Sequence, residues 1–159
     1  MPDDGSLLIS DEPGDKIRIL AVEDNPADVE LLRLALRTAM IDFDLIVIDD
    51  GGEALSYVRQ EGRFEGTLAP DLAILDLNLP KNDGFEVLEE MRSNAAFQAV
   101  PVIVLSSSSW PRERARLEGL RVGRYLTKPA DLDQYLRIGW SVKEYLHEIE
   151  QDAAALPPI

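Results

Sequence analysis

Residues 17–38 read IRILAVEDNPADVELLRLALRT, and this stretch decides the fold. Its first six residues, IRILAV (17–22), are a β-branched apolar run, long enough for a strand and too short for a helix. Glu23, Asp24 and Asn25 break the run. Pro26 then suits the first position of a helix, and Val29, Leu31, Leu32, Leu34, Ala35 and Leu36 continue as a helical apolar stripe to about Thr38.

The same alternation continues along the chain. Phe43–Ile48 is a second apolar run, GlyGly at 51–52 breaks it, and Ala54, Leu55 and Val58 mark one face of the helix that follows. Gly62 to Pro70 reads as a loop. LAIL (72–75) is a third strand ending at Asp76, and LPKNDG (79–84) is a loop by its turn chemistry. A helix over Phe85–Met91, a fourth strand VIVL (102–105), a helix over Trp110–Leu120 and a fifth strand RYLT (124–127) come next. Asp131 caps a last helix running to about Gln151. Strands that are continuous apolar runs and alternate with helices predict an α/β protein with a parallel sheet covered on both faces. The expected organisation is an acidic leader (1–15), one domain (16–151) and a short tail (152–159).

Composition narrows the function. The 159 residues carry a formal net charge of −14. Residues 1–15 hold five acidic and no basic residues, so −9 remains for the rest. Nucleic acid and anionic membrane surfaces, which require Lys and Arg, are poor partners for such a chain. There is no cysteine, which excludes disulfides, thiolate catalysis and Cys-ligated zinc, and His147 is the single histidine. No signal-peptide pattern opens the chain and no apolar run approaches a bilayer span, so a cytoplasmic protein is expected.

The polar residues that follow the apolar runs carry the chemistry. Strand one ends in Glu23-Asp24, strand three in Asp76, strand four in Ser106-Ser107, and strand five in Lys128-Pro129. Parallel neighbours lie about 4.8 Å apart, so residues at one edge of these strands converge on a small site. Three carboxylates there repel one another unless a cation neutralises them, and one lysine is not enough. Oxygen ligands without sulfur or imidazole point to a hard cation, Mg²⁺ first, with Mn²⁺ or Ca²⁺ as alternatives. A carboxylate beside such a cation, an ammonium and a small hydroxyl is equipped to accept a phosphoryl group.

At these residues the chain resembles the CheY-like receiver domains of two-component response regulators. The resemblance runs from about Lys16 to Gln151 through VEDNPAD (22–28), ILDLNLPKNDG (74–84), VIVLSSS (102–108) and YLTKPA (125–130). It implies a flavodoxin-like, doubly wound sheet in the order 2-1-3-4-5 with five helices. It implies also that Asp76 accepts phosphate from a sensor histidine kinase. Asp24, Asp76 and the main-chain carbonyl of Asn78 would bind Mg²⁺, with Glu23 acting through water. Ser106 matches the family's switch hydroxyl, Lys128 its lysine, and Tyr125 its switch aromatic. More narrowly, the chain is similar to stand-alone regulators paired with bacterial phytochromes.

Two other function classes compete with this one. A hydrolase of the haloacid-dehalogenase kind needs a second acid two residues after the nucleophile, where this chain has Asn78. A phosphate-independent interaction module of the same fold differs in having an unreactive Asp76. Output is expected from a surface on helix 4, strand 5 and helix 5, formed as a homodimer. The ground is the last helix, where Ile138, Trp140, Tyr145 and Ile149 exceed the one apolar stripe that a sheet requires.

Overall fold

The computed structural model describes residues 16–79, 84–107 and 111–155. The acidic leader, part of the 79–84 loop, Trp110 and the last residues of the tail lie outside the described residues. Five strands, β1 (Ile17–Val22), β2 (Phe43–Ile48), β3 (Leu72–Leu75), β4 (Val102–Ser106) and β5 (Arg124–Thr127), form one parallel sheet in the order β2-β1-β3-β4-β5. They alternate with α1 (Pro26–Thr38), α2 (Gly51–Arg59), α3 (Gly84–Ser93), α4 (Pro111–Leu117) and α5 (Leu132–Ala155). The order reverses between β1 and β3, which opens a crevice beyond the carboxyl ends of those strands. Val22 pairs with Leu75 and Leu75 with Val104, so the residues after β1 and β3 emerge side by side.

The three central strands, β1, β3 and β4, are buried on both faces. Leu20, Val22, Leu75 and Val104 pack with Val58 of α2 and Leu88 and Met91 of α3. Ile19, Ala21, Ile74 and Ile103 pack with Leu32 and Leu36 of α1 and Tyr135 and Val142 of α5. This is why the strands read as unbroken apolar runs and not as alternating ones.

Helix α3 extends beyond the expected Phe85–Met91 to Gly84–Ser93, β4 includes Ser106, and three further boundaries differ from the sequence expectation. Gly51 and Gly52 lie inside the first turn of α2, because the Asp50 carboxylate accepts the Gly52 N–H at 2.7 Å and caps the helix. Helix α4 stops at Leu117, short of Leu120, and the chain turns back through Gly119 at φ +86° and Arg121 at φ +58°. Helix α5 continues past Gln151 to Ala155, carried by an alanine-rich end of high helix propensity.

The last helix also corrects the count of surplus apolar residues. Helix α1 lies along α5, and a Cβ on Gly139 would sit 2.0 Å from the Ala35 carbonyl oxygen, so only glycine permits that approach. Helix α5 therefore buries a second flank against α1 as well as its sheet-facing stripe. Ile138 is 5% exposed, and Tyr145 is half-buried, its ring packed beside the Arg124 guanidinium. Trp140, 49% exposed, and the half-buried Ile149 are what remains of the expected excess.

Candidate functional site

Main-chain hydrogen bonds set the strand ends in line. The Glu23 N–H donates to Ile48 O at 3.0 Å, the Asp76 N–H to Val22 O at 3.0 Å, and the Lys128 N–H to Ser106 O at 2.7 Å. Each bond fixes the first residue beyond a strand against its neighbour, so the side chains there inherit the sheet's rigidity. Past β1, Asn25 caps α1 by accepting the Ala27 N–H at 2.9 Å, and its own N–H donates to Glu23 Oε2 at 3.1 Å.

Glu23, Asp76 and Lys128 come together as expected. Lys128 Nζ lies 2.7 Å from Glu23 Oε1 and 3.1 Å from Asp76 Oδ2. Its third partner is Asp28 Oδ2 at 2.9 Å, a residue that no strand-end pattern marks. Asp28 stands in the first turn of α1, where an acidic residue reads as an ordinary partner of the helix dipole. Asp76 is 4% exposed, and its Oδ1 accepts the Asn78 N–H at 2.9 Å.

Ser106 is fully buried, and its hydroxyl accepts a hydrogen bond from Asn78 Nδ2 at 3.0 Å. The Asn78 side chain thus ties the loop after β3 to the end of β4, a contact that the reading of its carbonyl did not anticipate. Tyr125 pairs in register with Val104, two positions before Ser106, and is half-buried with the Arg114 guanidinium 5.1 Å from its ring centre. A third feature missed from sequence is Gly84. A Cβ there would meet the Asp76 carbonyl oxygen at 2.4 Å, so α3 begins directly against the backbone of Asp76. Its N–H donates to Leu77 O at 3.2 Å.

The electrostatics follow from three carboxyl groups gathered around one ammonium. Burial pushes the Glu23 carboxyl up to about 7; its bonds from Lys128 and the Asn25 N–H oppose that rise, and the Asp76 charge adds to it. Burial works against the Lys128 ammonium, but hydrogen bonds to Glu23 and Asp28 and the charge of Asp76 outweigh it and hold the lysine above its ordinary range. Folded Glu23 keeps its proton to about pH 7, whereas in the unfolded chain it ionises near the ordinary carboxyl value of 4.5. Across that window the folded state binds more protons, so its stability falls as pH rises through the window and then levels off. Metal-free Glu23→Gln is therefore expected to lose less stability than the wild type between pH 5 and pH 8. The difference is on the order of 1 kcal/mol, since solvent at the open mouth screens the full linkage. Urea unfolding in chelator at both pH values measures it, and equal losses in the two proteins would reject the assignment.

Glu23, Asp24 and Asp76 each offer a carboxylate oxygen, and the three lie within 4.8 Å of one another. Two of the three residues are buried and Asp24 is exposed. An all-oxygen set with excess negative charge and one open side fits a hard divalent cation. Among the described residues, no helix is long and apolar enough to cross a membrane.

The geometry agrees with three comparisons. The family model "Response regulator receiver domain" matches residues 19–138. The response regulator Rcp1 of Synechocystis sp. is 37% identical over 137 residues, covering 86% of this chain and 93% of that protein. The crystal structure of the phosphorylated cyanobacterial phytochrome response regulator RcpA superposes with a TM-score of 0.76 at 40% identity, covering 82% of this chain and 93% of RcpA. The Mn²⁺-bound form of Rcp1 gives 0.75 at 37% identity, covering 82% and 94%.

Proposed function

Because this chain belongs to the response regulator receiver family of two-component signalling proteins, we propose that Asp76 is its phospho-acceptor and that a phytochrome-type histidine kinase is the donor. One observation carries the reading: a buried Asp76 carboxylate within 3.1 Å of an ammonium, at the switch point of the sheet, beside two further acids. An Asp76 carboxylate oxygen attacks phosphorus, and the bond from phosphorus to the donor's imidazole nitrogen breaks, with the electron pair leaving on the nitrogen. Lys128 donates hydrogen bonds to the phosphoryl oxygens, and the Ser106 hydroxyl turns from Asn78 to donate another. Glu23, Asp24, Asp76 and the Asn78 carbonyl would hold Mg²⁺ or Mn²⁺, which supplies the charge neutralisation that a phosphodianion needs to approach these acids. The protein acts on itself in the cytoplasm and needs no separate substrate. Incubation with acetyl phosphate and Mg²⁺, followed by intact mass, tests the reading: one phosphoryl adduct is expected, and none in chelator.

Output runs through α4, β5 and α5. Ser106 moving toward the phosphoryl group leaves space that Tyr125 fills, and the shift alters the surface above it. That surface holds a groove of about 430 Å³ lined by Arg114, Leu117, Arg121, Val122, Arg124 and Tyr125, where Arg124 pairs with Glu148 of α5 and feels the charge of Glu144. A surface carrying both signs is self-complementary under two-fold symmetry and suits a homodimer. Sedimentation at micromolar concentration should show a dimer that phosphodonor strengthens and Ile149→Asp weakens about tenfold or more. A monomer with and without phosphodonor rejects it.

A further inference from the structure

We propose that Asp28 is a positioning residue for Lys128: its carboxylate holds the ammonium at the mouth of the Asp76 pocket from the α1 side. The inference rests on the reading of Asp76 as phospho-acceptor, and its physical basis is the donor inventory of the lysine. A lysine ammonium has three N–H donors on a flexible four-carbon stem, with rotamer entropy to lose on fixation. All three donors are used here, on Glu23 at 2.7 Å, Asp28 at 2.9 Å and Asp76 at 3.1 Å. Two of those acceptors belong to the oxygen cluster suited to a cation, and one of the two is the group that becomes phosphorylated. Asp28 lies outside that cluster. It is the acceptor whose hold on the lysine does not compete with the other tasks of the site.

The position of Asp28 is itself held from two sides. The Asn25 side chain, which caps α1, accepts the Asp28 N–H at 3.4 Å, and the Tyr135 hydroxyl donates to the Asp28 carbonyl oxygen at 3.4 Å. Tyr135 is buried in α5, so the anchor for Lys128 is set by α1 and α5 together. Lys128 lies 100 residues further along the chain, at the end of β5, and the Asp28 contact ties that end back to the first helix. The competing account is that Asp28 only complements the positive end of α1 and stabilises the fold.

The test has two arms on the full-length protein. In the metal-free, unphosphorylated state, nitrogen-15 NMR of the Lys128 ammonium reads the tether directly. Asp28→Asn should shift and broaden that resonance while leaving the backbone spectrum beyond the site unchanged, and Asp28→Glu should recover it in part. A Lys128 signal identical in wild type and Asp28→Asn overturns the proposal. The second arm is a double-mutant cycle on the rate of Asp76 phosphorylation by acetyl phosphate with Mg²⁺. Asp28→Asn should slow the wild type about fivefold and the Lys128→Gln protein less than about twofold, since contacting residues couple and independent ones add. Equal slowing in both backgrounds overturns the positioning role. If wild-type Asp76 forms no adduct, the proposed function fails, and the NMR arm alone then decides whether Asp28 tethers the lysine.

Discussion

Asp76→Asn is expected to abolish the phosphoryl adduct, with a loss of at least about 100-fold in labelling by acetyl phosphate. An amide oxygen is a far weaker nucleophile than a carboxylate oxygen, and the substitution preserves size and the hydrogen bond from the Asn78 N–H at 2.9 Å. The variant should therefore fold, and it should unfold at a higher denaturant concentration than the wild type in chelator. Removing one buried acid relieves its repulsion with Glu23, whose carboxyl is raised in part by the Asp76 charge. The adduct on wild-type protein should survive acid and be lost in alkali, as an acyl phosphate is. Intact mass with peptide mapping reads all of this. An adduct on another residue, or one that persists in chelator, overturns the assignment of both the acceptor and the cation.

Lys128→Ala should slow phosphorylation about 10- to 100-fold and also lower stability. The slowing follows from losing a charge placed where negative charge gathers on the transferred group. The destabilisation follows from the three carboxylates that the ammonium now joins, Glu23, Asp28 and Asp76. Stripping the cation from a largely buried cluster leaves like charges facing one another, at about 1–3 kcal/mol in metal-free buffer. Millimolar Mg²⁺ should recover much of that stability, because a divalent cation replaces the lost positive charge, but it should not recover the phosphorylation rate. Thermal unfolding in chelator and in Mg²⁺, with a mass time course alongside, separates the two effects. A variant phosphorylated at the wild-type rate would show that the lysine has no part in the chemistry.

How much of this was legible beforehand depends on the range of the interaction. The bounds of β1, β2 and β3 were readable as apolar runs, and so was the extent of α1, because burial leaves a one-dimensional trace in composition. Glu23, Asp24, Asp76, Ser106 and Lys128 were readable as well. Each stands just beyond or at the end of such a run, and a parallel sheet brings those ends to one edge. Helix ends were less legible. Whether Asp50 caps α2 ahead of two glycines, or Gly119 stops α4, depends on a single backbone angle or hydrogen bond that composition does not report.

Sequence by itself determined the architecture, the edge on which the site lies and the residue types that form it. Periodicity records that a residue is buried, but not against what. Tertiary structure alone decided that Ile138 belongs to the core, since its burial depends on how α5 is seated between the sheet and α1, which Gly139 holds close. It alone decided that Gly84 must lack a side chain, because the atom it would strike is the Asp76 carbonyl. The pairing of Asp28 with Lys128 belongs to the same class. An ion pair between side chains 100 residues apart leaves no local pattern, and only the folded chain brings the two charges to 2.9 Å.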